Sequence, residues 1–238
     1  ALSKAGDFFY FRKVKIMVRQ SRSLLETYSL PTEDIERQSF RIIKELLPDL
    51  NLSPQELQVV IRIVHTSGEP EMGRHVLFHP RSIDIAIKTL LEGRTIFTDV
   101  RMVAAGIKSK LAATLGCQLQ CALDLAIDDE NAAAGITRTA RAMRSLGHNL
   151  DGSMVAIGNA PTALLAVLDM VGAGKASPAI IVGMPVGFVA ASEAKMELAK
   201  RDTPFITIQG TRGGSAVTAA TVNALMLLAI ESLAKEKR

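Results

Sequence analysis

Ser153-Met154-Val155-Ala156-Ile157-Gly158-Asn159-Ala160-Pro161-Thr162-Ala163-Leu164 decides the fold. An apolar run from Ser153 to Ile157 reads as a buried strand. Gly158 breaks it, and Pro161 stands at the first position of a helix that continues to Val171 with Gly172 behind it. Strand, glycine turn and helix follow one another with no room for a hairpin. Working outward, the same alternation recurs. Thr95–Asp99, Gln118–Leu123, Ala179–Val182 and Phe205–Ile208 read as strands. Helices are predicted over Glu130–Leu146, Ser192–Lys200 and Ser215–Leu233. Strands separated by helices imply right-handed crossovers and a mostly parallel sheet covered on both faces. The expectation is a single α/β domain with about five strands and a helical N-terminal segment.

Upstream, residues 18–50 read as helical. Pro31-Thr32-Glu33-Asp34 opens a segment with Ile35, Ile42, Ile43, Leu46 and Leu47 on one face, and Pro48 ends it. Ser53-Pro54-Gln55-Glu56 has the form of a capping box with proline at the first helical position. That helix runs to Thr66 and stops at Gly68. Pro80 opens a further helix closed by Gly93. Residues 1–24 read as an N-terminal extension and 25–238 as the domain.

Composition narrows the function. Aromatics are 4% of the 238 residues and tryptophan is absent, so the core must be built from Ala, Val, Ile, Leu and Met. The net charge is +4, but no Lys/Arg block is long enough for a nucleic-acid arm. The apolar stretch Val217–Ile230 reads as too short to span a membrane and contains Thr and Asn. Cys117 and Cys121 match neither a zinc pattern nor a disulfide framework. They read as reduced core thiols, which points to the cytoplasm.

Three strands run into similar loops: Ile157-Gly158-Asn159-Ala160-Pro161-Thr162, Val182-Gly183-Met184-Pro185-Val186-Gly187-Phe188 and Gln209-Gly210-Thr211-Arg212-Gly213-Gly214-Ser215. Ligands of parallel sheets bind beyond the carboxyl ends of the strands. The helix N-termini behind these loops are expected to offer N–H groups to an anion. One such loop needs no explanation beyond a tight turn; three on one edge point to a site. Neither Gly210–Ser215 nor Gly172-Ala173-Gly174-Lys175-Ala176-Ser177 fits a nucleotide-binding pattern, and the latter reads as a helix-to-strand turn.

His65 falls in the last turn of the capped helix, where the dipole favours positive charge. A histidine there is a candidate proton donor, although a structural role fits the same position. His75 and His79 lie in a predicted loop without a third metal ligand. His148 follows Gly147 and reads as solvated. Arg138, among small residues, is suited to grip a carboxylate by paired N–H bonds, or is simply an exposed helix charge. Asp99 is expected to cap the short helix containing Met102 and Val103. Ser39 fits equally well as a plain helix-surface serine.

Together these residues resemble the precorrin-8X methylmutase family, the precorrin isomerases of corrin-ring (vitamin B12) biosynthesis. The resemblance rests on Ile35-Glu36 with Ser39-Phe40, Arg62-Ile63-Val64-His65, Asp99-Val100 with Met102-Val103 and Gly106-Ile107, and Thr137-Arg138. It rests further on the blocks Val155–Leu164, Ile181–Val189 and Arg212–Ala216. It implies an intramolecular methyl shift from C11 to C12 of the macrocycle, giving hydrogenobyrinate or cobyrinate, with His65 as catalytic acid. Ser39, Arg62, Thr66, Arg138, Asn159, Thr162, Gly213, Gly214 and Ser215 are then expected to contact the tetrapyrrole substrate. The resemblance also implies a homodimer and no added cofactor or protein-bound metal; cobalt, where present, belongs to the substrate. The alternative is a non-catalytic corrinoid carrier on the same scaffold, which needs no acid at His65.

Overall fold

The computed structural model describes residues 31–125 and 135–236. The chain divides into two compact units, residues 1–41 and 42–238. Helix α1, Thr32–Leu46, carries Ser39, half-buried, within the first of these. The helical expectation for residues 18–30, and the extension 1–24, fall outside the described residues.

Helix α2, Pro54–Ser67, forms as its sequence dictates. Ser53 Oγ accepts from Glu56 N–H, Glu56 Oε2 accepts from Ser53 N–H at 2.7 Å, and Gly68 closes the helix at φ 68°. Val59, Val60, Ile61, Ile63 and Val64 are buried, which leaves Arg62, His65 and Thr66 toward the outside. A short 3-10 segment, Pro70–His75, leads into strand β1, Val76–Phe78. Helix α3 spans Ser82–Leu91, so Pro80 sits in the turn before it rather than at its first position. Then come β2, Ile96–Thr98; the short helices α4, Arg101–Gly106, and α5, Ser109–Thr114; β3, Leu119–Cys121; and α6, Ala122–Leu125. The second half of the sheet's strands alternates with helices as predicted. It comprises α7, Arg138–Leu146; β4, Met154–Ile157; α8, Pro161–Gly172; β5, Ile180–Gly183; α9, Ala191–Ala199; β6, Phe205–Ile208; and α10, Ser215–Glu236.

Among the described residues six strands form one sheet in the order β1-β6-β5-β4-β2-β3. All neighbours are parallel except β1, which pairs antiparallel to β6 with Val76 opposite Ile208. The sixth strand corrects the expectation of five: the stretch between His75 and His79, a loop by its sequence, forms β1. Helices α2, α3, α4 and α10 cover one face and α7, α8 and α9 the other. Val155, Ile157, Ile181, Leu164 and Leu198 belong to one core cluster. Met154, Ala156, Ile180 and Val182, pointing the opposite way, are also fully buried. Burial on both faces is why these strands read as unbroken apolar runs.

Two further expectations change. Helix α7 begins at Arg138, not near Glu130: Thr137 caps it by accepting from Ala140 N–H, and Gly135 precedes it at φ 95°. Residues 126–134 fall outside the described residues. Helix α10 has 22 residues, longer than the apolar stretch predicted, and is long and apolar enough to cross a membrane by length and composition. Here it is a core helix, with Val217, Val222, Leu225, Met226 and Ala229 buried against α2, α3 and the sheet. Gly174, at φ 68°, turns the end of α8 toward β5, as expected of the Gly172–Ser177 segment.

Candidate functional site

The parallel strands β4, β5 and β6 end on one edge, and their loops are laced together. Met184 N–H donates to Ile157 O at 2.8 Å, Gly214 N–H to Met184 O at 2.8 Å, and Gly187 N–H to Thr211 O at 3.1 Å. At Gly213, φ is 140° and any Cβ would collide with the Met184 carbonyl, so only glycine lets the β6 loop lie this close to the β5 loop. A Cβ on Gly158 would lie 2.7 Å from Thr218 Oγ1 and 2.9 Å from Ser215 Cα, so the β4 loop packs as closely on the start of α10.

The end of α2 joins this edge. Ser67 Oγ donates to Val64 O and accepts from Glu69 N–H, which shapes the exit from the helix. Glu69 Oε1 then accepts from Arg212 Nε at 3.3 Å. The turn bearing Arg62, His65 and Thr66 is thereby tied to the loop bearing Gly213, Gly214 and Ser215. At the other end, Thr137 Oγ1 and Thr162 Oγ1 are 2.7 Å apart, tying the start of α7, with Arg138, to the start of α8. His65, Thr66, Arg138 and Asn159 are exposed, Arg62, Thr162, Gly213 and Gly214 are half-buried, and Ser215 is buried. Arg138 occupies the first position of α7, the positive end of its dipole, where a cation is disfavoured by about 0.3–1 kcal/mol. The helix itself gains nothing from arginine there. Ser39 lies in the 1–41 unit and is described only within it.

Asp99 departs from its expected role. Val100, not Asp99, is the residue before α4, and it makes no side-chain cap. The Asp99 carboxylate is fully buried and accepts from Gly158 N–H at 3.1 Å, Asn159 N–H at 2.9 Å and Ala160 N–H at 2.8 Å. Burial pushes its pKa up, and the N–H donors only partly offset this. The strand order reverses between β2 and β4, the crevice where open α/β sheets usually bind ligands. Here a side chain of the protein fills it. The N–H groups of Gly158, Asn159 and Ala160 are thus taken by Asp99, and those of Met184, Gly187 and Gly214 by neighbouring loops.

Residues 34–228 match the family model described as precorrin-8X methylmutase. The chain belongs to the precorrin-8X methylmutase family. It is 37% identical over 209 residues to the cobalt-precorrin-8 methylmutase of Priestia megaterium, covering 87% of this chain and 93% of that one. It is 41% identical over 199 residues to the precorrin-8X methylmutase of Pseudomonas aeruginosa, covering 80% and 93% respectively. The precorrin-8X methylmutase structure from Thermus thermophilus superposes with a TM-score of 0.75 at 32% identity, covering 83% of this chain and 98% of that one. The chain is an isomerase of cobalamin biosynthesis, and its α/β architecture is that of the family.

Proposed function

We propose that the enzyme moves a methyl group from C11 to C12 of precorrin-8X or cobalt-precorrin-8, with His65 as the catalytic acid. The observation that carries this is the Glu69–Arg212 pair, which seats the turn bearing His65 against the glycine-rich edge. The substrate is a broad apolar ring fringed with carboxylates. Arg62 and Arg138, with Asn159, Thr162 and Ser215, are suited to hold that fringe. The migrating carbon and its acceptor belong to one molecule, so the protein need supply no nucleophile. It must hold the ring rigidly and stabilise charge where it develops. His65 donates a proton or hydrogen bond to the ring as the C11–methyl bond breaks and the C12–methyl bond forms, and is restored as product forms. Substrate and product are isomers, so nothing else is consumed and no resident cofactor is required. Cobalt, where present, arrives with the substrate.

The test is incubation with metal-free precorrin-8X and, separately, with cobalt-precorrin-8, following the colour change as conjugation shifts. Both substrates occur in the names of relatives. Turnover of at least one is expected. Corrinoid binding without a spectral change on either would replace this reading with a non-catalytic carrier.

We further infer a cytoplasmic homodimer. The β5–α9 loop exposes Phe188 at 93% and Val189 at 84%, beside Val186, an apolar projection at the site edge that suits a second copy. Cys117 and Cys121 are buried and unbridged, in keeping with a reducing compartment. Sedimentation as a monomer at micromolar concentration would sink the dimer.

A further inference from the structure

Lys195, on α9, is 2% exposed. Among the described residues its ammonium has no carboxylate partner; its Nζ donates to the carbonyl oxygen of Arg212 at 2.5 Å. It lines a cleft of about 360 Å³ whose other walls include Leu77, Met196, Thr207 and Gln209. Burying an ammonium against one neutral acceptor is costly, and methionine would fill the same space without that cost. The position therefore calls for something the charge does locally.

That local action is on the β6–α10 loop. Gly213 and Gly214, at φ 140° and 120°, have no side chains with which to anchor it. The backbone is held by Gly214 N–H on Met184 O from one side and by Lys195 on Arg212 O from the other. The Arg212 side chain meanwhile reaches Glu69, just beyond the end of α2. One residue thus links a buried cation on α9 to the turn bearing His65.

We propose that Lys195 is a positioning residue for the methylmutase reaction, holding the Arg212 carbonyl so that the Arg212–Ser215 loop stays seated against the turn that presents His65. This rests on the reading of that turn as the acid-bearing part of the site. Burial lowers the Lys195 pKa to about 8. Of the charged groups around it, Lys200 lines the same cleft and is paired with Glu197, and Arg212 on the loop is paired with Glu69. β1 and β6 present Leu77 and Thr207, which do not titrate. Above pH 8 the ammonium becomes an amine, a weaker donor, and the hold on Arg212 loosens. In the unfolded chain a lysine keeps its proton to about pH 10.4. Between these values the unfolded state binds more protons, so this group's contribution to stability rises with pH while turnover falls.

The experiment measures kcat and KM against pH for the wild type, Lys195→Met and Lys195→Arg, with melting temperature alongside. In the wild type, kcat falls on the alkaline side with a midpoint near 8. Lys195→Met folds at least as stably but loses roughly 10- to 100-fold in kcat, with a smaller change in KM and no such alkaline limb. Lys195→Arg, charged throughout, keeps a larger share of the rate to higher pH. A Lys195→Met enzyme with wild-type kcat, or an unchanged alkaline limb in both variants, overturns the proposal. A second measurement needs no variant. The Gly213 amide nitrogen shares its peptide bond with the Arg212 carbonyl, so its NMR shift reports that hydrogen bond and is expected to titrate near pH 8. No titration there overturns the proposal too. If His65→Ala keeps full turnover, the acid reading fails, whereas Gly213 still titrating would show that Lys195 holds the loop.

Discussion

His65→Ala is expected to lower turnover by roughly 10²- to 10⁴-fold, the range that removal of a positioned general acid covers. The melting temperature should not move by more than a few degrees. His65 is exposed, and the packing of its helix is carried by Val59, Val60, Ile61, Ile63 and Val64, all buried. The caps at Ser53 and Gly68 are also untouched, so the turn should keep its shape. Binding of the product should weaken, because the ring loses a donor. His65→Asn separates the two contributions. It restores a hydrogen-bond donor without a transferable proton, so it should recover part of the product affinity and little of the rate. Turnover measured spectroscopically under single-turnover conditions decides the matter. A His65→Ala enzyme working at the wild-type rate would remove the residue from the mechanism and leave the edge as a binding surface.

What the sequence disclosed was whatever local chemistry determines. The capping box at Ser53 and Glu56, proline at 54 and glycine at 68 act within a few residues of one another, and α2 forms within a residue of its predicted ends. The run Met154–Ile157 is buried on both faces, so its burial was written in its composition. Strand β1 was not legible because Val76–Phe78 is a strand only by pairing with β6, more than a hundred residues later. The start of α7 lies later than the sequence suggests because the run of small residues before Thr137 suits a helix. The Thr137 cap and Gly135 at positive φ decide otherwise. Of the candidate site, His65 and Arg138 are the residues that type and position pick out in the sequence. The ties that assemble it are not legible there: Glu69 to Arg212 and Thr137 to Thr162 join distant segments. Lys195 left a faint mark. Ala191 and Leu198, four residues before and three after it, are buried, so the lysine lies on the apolar face of its own helix.

Replacing Asp99 with alanine is expected to destabilise the fold by about 3–5 kcal/mol, because one substitution orphans several backbone donors. Three N–H groups, on Gly158, Asn159 and Ala160, lose their acceptor at once, each worth about 1–3 kcal/mol when left buried and unpaired. The contributions will not add fully, because the loop can shift. Asp99→Asn tests the geometry. Its single carbonyl can serve Asn159 and Ala160 in place of Oδ2, but the amide nitrogen then faces the Gly158 N–H, donor against donor. A loss of about 2–3 kcal/mol, smaller than for alanine, is the expected outcome in urea unfolding. Turnover should fall by more than the unfolded fraction explains, since the same loop sets Asn159 and, through Thr162, the start of α7. An Asp99→Ala protein within 1 kcal/mol of wild type would mean that the loop holds its shape unaided. If the loss is as large as expected, the crevice between β2 and β4 is a structural joint, and the N–H groups of Gly158, Asn159 and Ala160 are held by Asp99 rather than offered to the carboxylates of the proposed substrate.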